Sequence, residues 1–292
     1  MSRAWRAVRE RALNVYAALA IAYLLLPIAV IAVFSFNDPE GKFNFTWQGF
    51  TLEHWTNAFS LPPLNDAFFL SLELAAASTL VATILGTLIA MALVRYQFFG
   101  RRPANFLIVV PMATPEVVIG AALLSMFLIY GLELGFATLF IAHVMFSISF
   151  VVVVVRSRLI GFDRALEEAA RDLGATPLTT FRTVTLPLLT PAVLGASLLA
   201  FALSIDDFVI SNFNAGESVT FPLFIYGAAQ RGIPVEAYSI ATILFLVTVV
   251  AMAFTVWQQR RAQQMASIRP EQEDEPYAGT PAMPPAPGAA GG

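Results

Sequence analysis

A chain of 292 residues that is 58% hydrophobic and only 13% charged, with a mean hydropathy of +0.71, lacks the polar side chains to cover a water-facing globule, since a soluble domain is about half apolar and roughly a quarter charged. The apolar excess faces lipid, and the chain reads as an all-α polytopic membrane protein. The absence of cysteine excludes disulfides, thiolate catalysis and cysteine-ligated zinc or iron–sulfur sites, the two histidines His54 and His143 leave little for a metal centre, and a net charge of −3 argues against nucleic acid.

A membrane helix takes ~20 mainly apolar residues. Six stretches qualify, about 13–35, 67–94, 104–130, 134–155, 191–213 and 237–257. They divide the chain into a basic amino terminus (1–12), a six-helix domain (13–262) and a disordered tail (263–292) rich in Glu, Pro, Gly and Ala. Arg3, Arg6, Arg9 and Arg11 ahead of the first stretch raise the alternative of a signal peptide. That run is longer than the roughly 7 to 15 residues of a signal core and has no small-x-small cleavage site, so it reads as a retained anchor.

The arginines set the orientation. Four precede the first span. Arg95, Arg101 and Arg102 lie between the second and third, Arg156, Arg158, Arg164, Arg171 and Arg182 between the fourth and fifth, and Arg260, Arg261 and Arg269 follow the sixth. These segments hold fifteen of the seventeen basic residues, which makes them and both termini cytoplasmic by the positive-inside rule. The first outer loop, about 37–66, carries PheAsnPheThrTrpGlnGlyPhe at 43–50 and Trp55. Such aromatic residues suit either an interfacial belt or a partner docking from outside.

The spans also hold acids: Glu73 in the second, Glu116 in the third, and Asp206 with Asp207 in the fifth, with no Lys or Arg deep in any span. An Asp at a helix centre opposes insertion by roughly 2.5 to 3.5 kcal/mol, so the pair needs water, a partner or a proton. Counted at ~1.5 Å per residue, all four share the middle-to-outer half of the bilayer. Acids without bases at one depth suit a passing polyvalent cation, which makes Asp206, Asp207, Glu116 and Glu73 candidates for a substrate route. The other reading is that one or more is protonated, paired with His143, or hydrogen-bonded to hydroxyls. On a continuous helix Asp206 and Asp207 point about 100° apart and cannot face one cavity equally. Pro111 and Pro115 predict a kink in the third span beside Glu116.

The link between the fourth and fifth spans is the most legible. Asp163 is placed to cap a helix over 165–173, Gly174 to end it left-handed, and Thr176 with Pro177 to begin the next. Leu186 before Pro187 is expected to close that second helix, and Thr190 before Pro191 to open the span. The small pair Ala169 and Ala170, flanked by Glu168 and Arg171, suits a groove of another protein.

Glu168, Ala169, Ala170, Gly174, Val184, Leu186 and Pro187 occur here at the spacing Glu-Ala-Ala, three residues, Gly, nine residues, an aliphatic, one residue, Leu-Pro. In this the chain resembles the inner-membrane permeases of binding-protein-dependent ABC importers. The stretches 46–51, 157–163 and 203–211 are similar to the spermidine/putrescine branch of that family, the PotC type. The resemblance implies a type I ABC importer permease fold, with segment 163–189 acting as the coupling loop through Glu168, Ala169, Ala170, Gly174, Leu186 and Pro187. It also implies the partners: a homologous PotB-type permease, two ATP-binding subunits and an extracytoplasmic polyamine-binding protein. No cofactor is then expected in this chain, because ATP and Mg are bound by the ATPase subunits. An ion-coupled carrier or channel would explain the acids but leaves the spacing of the loop unexplained. An ABC permease for another solute remains an alternative, and no nucleophile–base constellation supports an intramembrane enzyme.

Overall fold

The computed structural model describes residues 3–268. Most of the expected tail, 269–292, falls outside them, and 263–268 continue the last helix. Among the described residues the regular elements are all helical, joined by loops, with one isolated antiparallel bridge, Asn37 to Phe50. The helices are α1 (Arg3–Phe34), α2 (Glu53–Thr56), α3 (Pro62–Arg95), α4 (Arg101–Ala113), α5 (Glu116–Ile129), α6 (Phe136–Ile160), α7 (Ala165–Asp172) and α8 (Pro177–Thr180). A π-helical segment, Phe181–Thr185, leads into α9 (Leu186–Asp206), followed by α10 (Val209–Asn214), α11 (Phe221–Ala229) and α12 (Val235–Ile268). The chain divides after Ile240 into two compact units, the second being the remainder of α12 as far as it is described.

Four helical stretches are long and apolar enough to cross a membrane: Arg11–Phe34, Pro62–Arg95, Phe136–Ile160 and Pro177–Asp206. The pair Arg101–Ala113 and Glu116–Ile129 makes a fifth if taken as one broken span, and Val235–Val250 is a shorter apolar helix. The centre of the first unit is α3 packed on α6 and α9. A stripe of small buried residues on α3, namely Ser71, Ala75, Ser78, Ala82, Gly86 and Ala90, lets the backbones approach. A Cβ at Gly86 would stand 2.7 Å from the Val151 side chain of α6. Ala90, Leu93, Val151, Val152, Val155, Leu159, Leu189, Ala196 and Ala200 complete this core. None of the apolar stretch of α1 is buried, so that helix faces the surroundings.

Three sequence expectations change. The third span is broken rather than kinked: α4 and α5 meet at 111°. Pro115 holds Thr114 extended, at φ −88° and ψ 135°, and supplies no amide to continue α4. The fifth span is also interrupted, at Asp207 (φ −66°, ψ 116°). Conversely, Leu186 and Pro187 do not close a helix. The wider π turn ahead of Pro187 makes room for its ring, and the helix runs on past Pro191, with Thr190 Oγ1 donating to the Leu186 carbonyl at 2.7 Å.

The connections gather at two ends. At the arginine-rich end, Arg156 donates to Asn105 Oδ1 at 2.6 Å and Arg164 to the Val94 carbonyl at 3.3 Å. At the acidic end, the first loop is knotted around the fully buried Asn37. Its Nδ2 donates to Asn44 Oδ1 (2.6 Å) and the Thr46 carbonyl (2.8 Å), while its Oδ1 accepts the Gln48 amide at 2.7 Å. Phe36 stacks between Phe50 and Trp55, and Phe43, Phe45 and Trp47 stay exposed. Gly232, at φ +107°, packs against the backbone of Lys42, and His54 Nδ1 lies 3.4 Å from Glu236.

Candidate functional site

The loop 163–180 folds as its local chemistry dictates. Asp163 Oδ1 accepts the Ala165 amide at 2.9 Å and opens α7. Gly174, at φ +87°, closes it, with its own amide and that of Ala175 returning to the Arg171 and Ala170 carbonyls at 2.8 and 3.0 Å. Thr176 caps α8 by accepting the Thr179 amide at 3.3 Å, with Pro177 in the first turn.

The short helix α7 has two faces. Leu166, Ala169 and Leu173, spaced by three and four, are exposed together, Leu173 to 89%. Together they make a small apolar patch among the exposed charges of Glu168, Arg171 and Asp172. The other face points inward. Glu167 is buried and accepts from both terminal guanidinium nitrogens of Arg95, the last residue of α3, and from the Thr185 hydroxyl of the π segment. Burial alone would raise the Glu167 carboxyl. The hydrogen bonds from Arg95 and Thr185, with the positive charges of Arg95 and Arg171, outweigh it and hold the group below its ordinary value.

Of the sequence candidates, Glu168, Ala169, Ala170 and Gly174 lie together on α7 and its closing turn, all exposed except the half-buried Ala170. Leu186 and Pro187 are exposed on the first turn of α9, beyond the π segment. Glu167 was missed, although a signal was present. Glu167 and the half-buried Ala170 stand about one turn apart, roughly 100° around the helix from Leu166, Ala169 and Leu173, and Arg95 is the lone base at the end of the second span.

The membrane acids separate into two kinds. Asp207 is withdrawn into the protein, its side chain 6% accessible. It accepts the amides of Ile210 (3.2 Å) and Ser211 (2.7 Å) and the Ser211 hydroxyl (2.8 Å), and so caps α10 across the break. His143 of α6 lies beside it. Its Nε2 is 3.1 Å from Ser211 Oγ and 3.5 Å from Asp207 Oδ2, and its Nδ1 is 2.7 Å from Ser204 Oγ, itself 3.1 Å from Ser78 Oγ. Because the Ser211 hydroxyl donates to Asp207, its oxygen accepts from His143 Nε2–H. Five polar side chains from α3, α6, α9, the break and α10 thus satisfy one another.

Asp206, by contrast, is exposed, at the end of an outward stripe of α9 with Leu194, Leu198 and Ala202. Glu73 is exposed on the corresponding outer stripe of α3 with Phe69, Ala76, Leu80 and Ile84. From the Ser78–Ser204 contact, Asp206 lies about 3 Å and Glu73 about 7.5 Å further toward the acidic end. Glu116 is exposed at the first turn of α5, immediately after the 111° bend. One turn later Gly120 packs on α10, where a Cβ would stand 2.7 Å from the Phe213 ring. Asp206 and Asp207 therefore differ not as neighbours on one continuous helix but because Asp207 caps the next one. Among the described residues no cluster of three or more His, Asp or Glu could hold a metal ion.

Residues 82–264 match the family model described as the binding-protein-dependent transport system inner membrane component. The chain belongs to that family. This permease is 41% identical over 230 residues to the spermidine/putrescine transport system permease protein PotC of Escherichia coli K12, covering 78% of the present chain and 86% of the relative. It is 35% identical over 259 residues to the putrescine transport system permease protein PotI of the same organism, covering 86% and 91%. Among solved structures it superimposes, with a TM-score of 0.62 and 18% identity over 89% of this chain and 98% of the other, on a chain of a bacterial ABC transporter involved in the import of the acidic polysaccharide alginate. The fold is that of an ABC importer permease. The α7 turn and the helix break at Asp207 both lie within the matched family region.

Proposed function

We propose that this permease is one of two membrane subunits of an ATP-driven polyamine importer. Its partners are then a homologous PotB-type permease, two ATP-binding subunits that carry out hydrolysis, and a polyamine-binding protein outside. The identity to PotC over most of both chains is the observation that carries the cargo, and the exposed α7 face carries the coupling. Six spans with both termini cytoplasmic agree with the arginine distribution and with the gathering of the links at two ends. The α7 turn, with Glu168, Ala169, Ala170 and Gly174, seats in a groove of the ATPase, bordered by Leu186 and Pro187. Asp206, Glu73 and Glu116 face the route between the two permeases, where each carboxylate can exchange hydrogen bonds with a passing ammonium. Asp207 shapes that route from within.

The test is uptake of labelled spermidine and putrescine by the complex reconstituted in vesicles. Uptake that needs hydrolysable ATP and the binding protein is the expected result. Uptake driven by an ion gradient without ATP would replace the proposal with a secondary carrier, and ATP-dependent uptake of a different solute would overturn the polyamine assignment alone.

A further inference from the structure

One buried carboxylate joins three elements that the sequence keeps far apart. Glu167 sits on the inner face of α7, Arg95 ends α3, and Thr185 ends the π segment that becomes α9. The far portions of these two long helices carry the exposed acids: Glu73 lies 22 residues before Arg95 and Asp206 lies 21 residues after Thr185, each about 30 Å along its helix. A two-pronged guanidinium–carboxylate contact fixes orientation as well as distance, because both partners are planar and both nitrogens are engaged. Removing either partner leaves an uncompensated buried charge, so the contact resists opening. Arg164, one residue before α7, adds a bond to the Val94 carbonyl at 3.3 Å.

We propose that Glu167, with Arg95 and Thr185, is a positioning joint that passes movement of α7 to α3 and α9 together. The proposal rests on the reading of α7 as the element that docks on the ATPase. Glu168, Ala169 and Gly174 face outward and make the docking surface, while Glu167 faces inward and transmits. Docking and transmission then separate by mutation.

The experiment uses the assembled complex in vesicles and measures three quantities on each preparation: retention of the ATPase, ATP hydrolysis, and spermidine uptake per ATP hydrolysed. Glu167→Gln and Arg95→Gln keep the ATPase bound and hydrolysing, while uptake per ATP falls about five-fold or more, the range of an ordinary coupling energy. The exchanged pair, Arg95→Glu with Glu167→Arg, recovers part of that ratio. Thr185→Val leaves the charges paired and lowers the ratio about two-fold, which keeps the test open if the charge variants do not insert. An unchanged ratio in Glu167→Gln, or in Thr185→Val where the charge variants fail, overturns the joint. Loss of the ATPase in step with uptake also overturns it, since Glu167 would then only shape the docking surface. Failure of the docking reading is seen separately, as Glu168→Lys and Gly174→Asp variants that retain the ATPase and normal uptake.

Discussion

The two ends of α9 hold buried carboxylates in opposite ways. Near its start, Glu167 is neutralised by a full positive charge, Arg95, and by one hydroxyl. Just past its end, Asp207 meets no arginine or lysine among the described residues. Two backbone amides, a hydroxyl and a neighbouring imidazole hold it instead. The first arrangement lies among the links, where water and long basic side chains are available. The second follows directly on the end of an apolar helix long enough to cross a membrane, and there the broken helix frees amides that satisfy an acid. The break at Asp207 therefore belongs to the solution of the charge problem, and the exposed Asp206 beside it is free for another role.

The largest expected effect is on the docking side of this contrast. Gly174→Asp and Glu168→Lys abolish ATP-dependent uptake while leaving the permease in the membrane. An added Cβ at Gly174 meets nothing within 4 Å, so the penalty there is the left-handed backbone, about 1 to 2 kcal/mol. The new charge on the docking surface adds to it. Co-purification with the ATPase checks this, and wild-type retention together with wild-type uptake would remove the docking role from α7.

The acids at the far end sharpen the contrast next. Asp206→Asn lowers uptake about ten-fold or more, since a hydrogen bond to a charged group is worth about 1.5 to 3 kcal/mol, and leaves expression and assembly intact. Asp207→Asn lowers membrane-inserted, assembled protein instead, because Asn turns one acceptor oxygen into a donor facing the Ser211 amide. Uptake normalised to inserted protein separates the two. Equal losses of normalised uptake in both variants would reject the division between a route acid and a capping acid.

A packing substitution is smaller again. Gly86→Val forces α3 away from α6 at Val151, an overpacking that costs about 1 to 3 kcal/mol, and lowers the melting temperature in detergent. A parallel Gly195→Val variant serves as control, because nothing lies within 4 Å of a Cβ there. Equal melting shifts for the two would show that the small-residue stripe does not set the approach of α3 and α6.

The regions differ likewise in how far the sequence reveals them. The turn at 163–177 was legible because each step is local: an Asp two residues before an amide, a Gly at a helix end, a Thr before a Pro. The apolar stretches were legible for the same reason. What escaped depends on distant partners. Arg95 and Glu167 are 72 residues apart, and nothing at either position names the other. His143 was legible as a partner for one of the acids, and the structure bears that reading out at Asp207; which acid it meets is decided only once α6 and α10 pack. The break in the fifth span has no Gly or Pro to announce it, since tertiary contacts at Ser204 and Ser211 decide it. At Pro187 the opposite error arose: a residue that signals a stop was accommodated by a π turn whose spacing no local rule predicts.

The finest test of the contrast is titration of Glu167, outside the membrane-spanning helices. Its carboxyl is held below its ordinary value of 4.5, by more than burial opposes, through hydrogen bonds from Arg95 and Thr185 and the charges of Arg95 and Arg171. A group whose pKa is depressed on folding contributes stability that is fully present above its unfolded value and is lost as the pH falls through the folded one. The joint therefore stays closed through the neutral range and gives no pH dependence there. In acid the proton neutralises the carboxylate, and Arg95 is left without its counter-charge. Uptake per ATP should be flat around neutrality and decline only below the ordinary carboxylate range, and Glu167→Gln should remove that decline while leaving any acid loss of ATPase binding unchanged. A wild-type ratio that already titrates near neutrality, or an acid decline that persists in Glu167→Gln, would assign the pH dependence to another group and weaken the case for a charge-held joint.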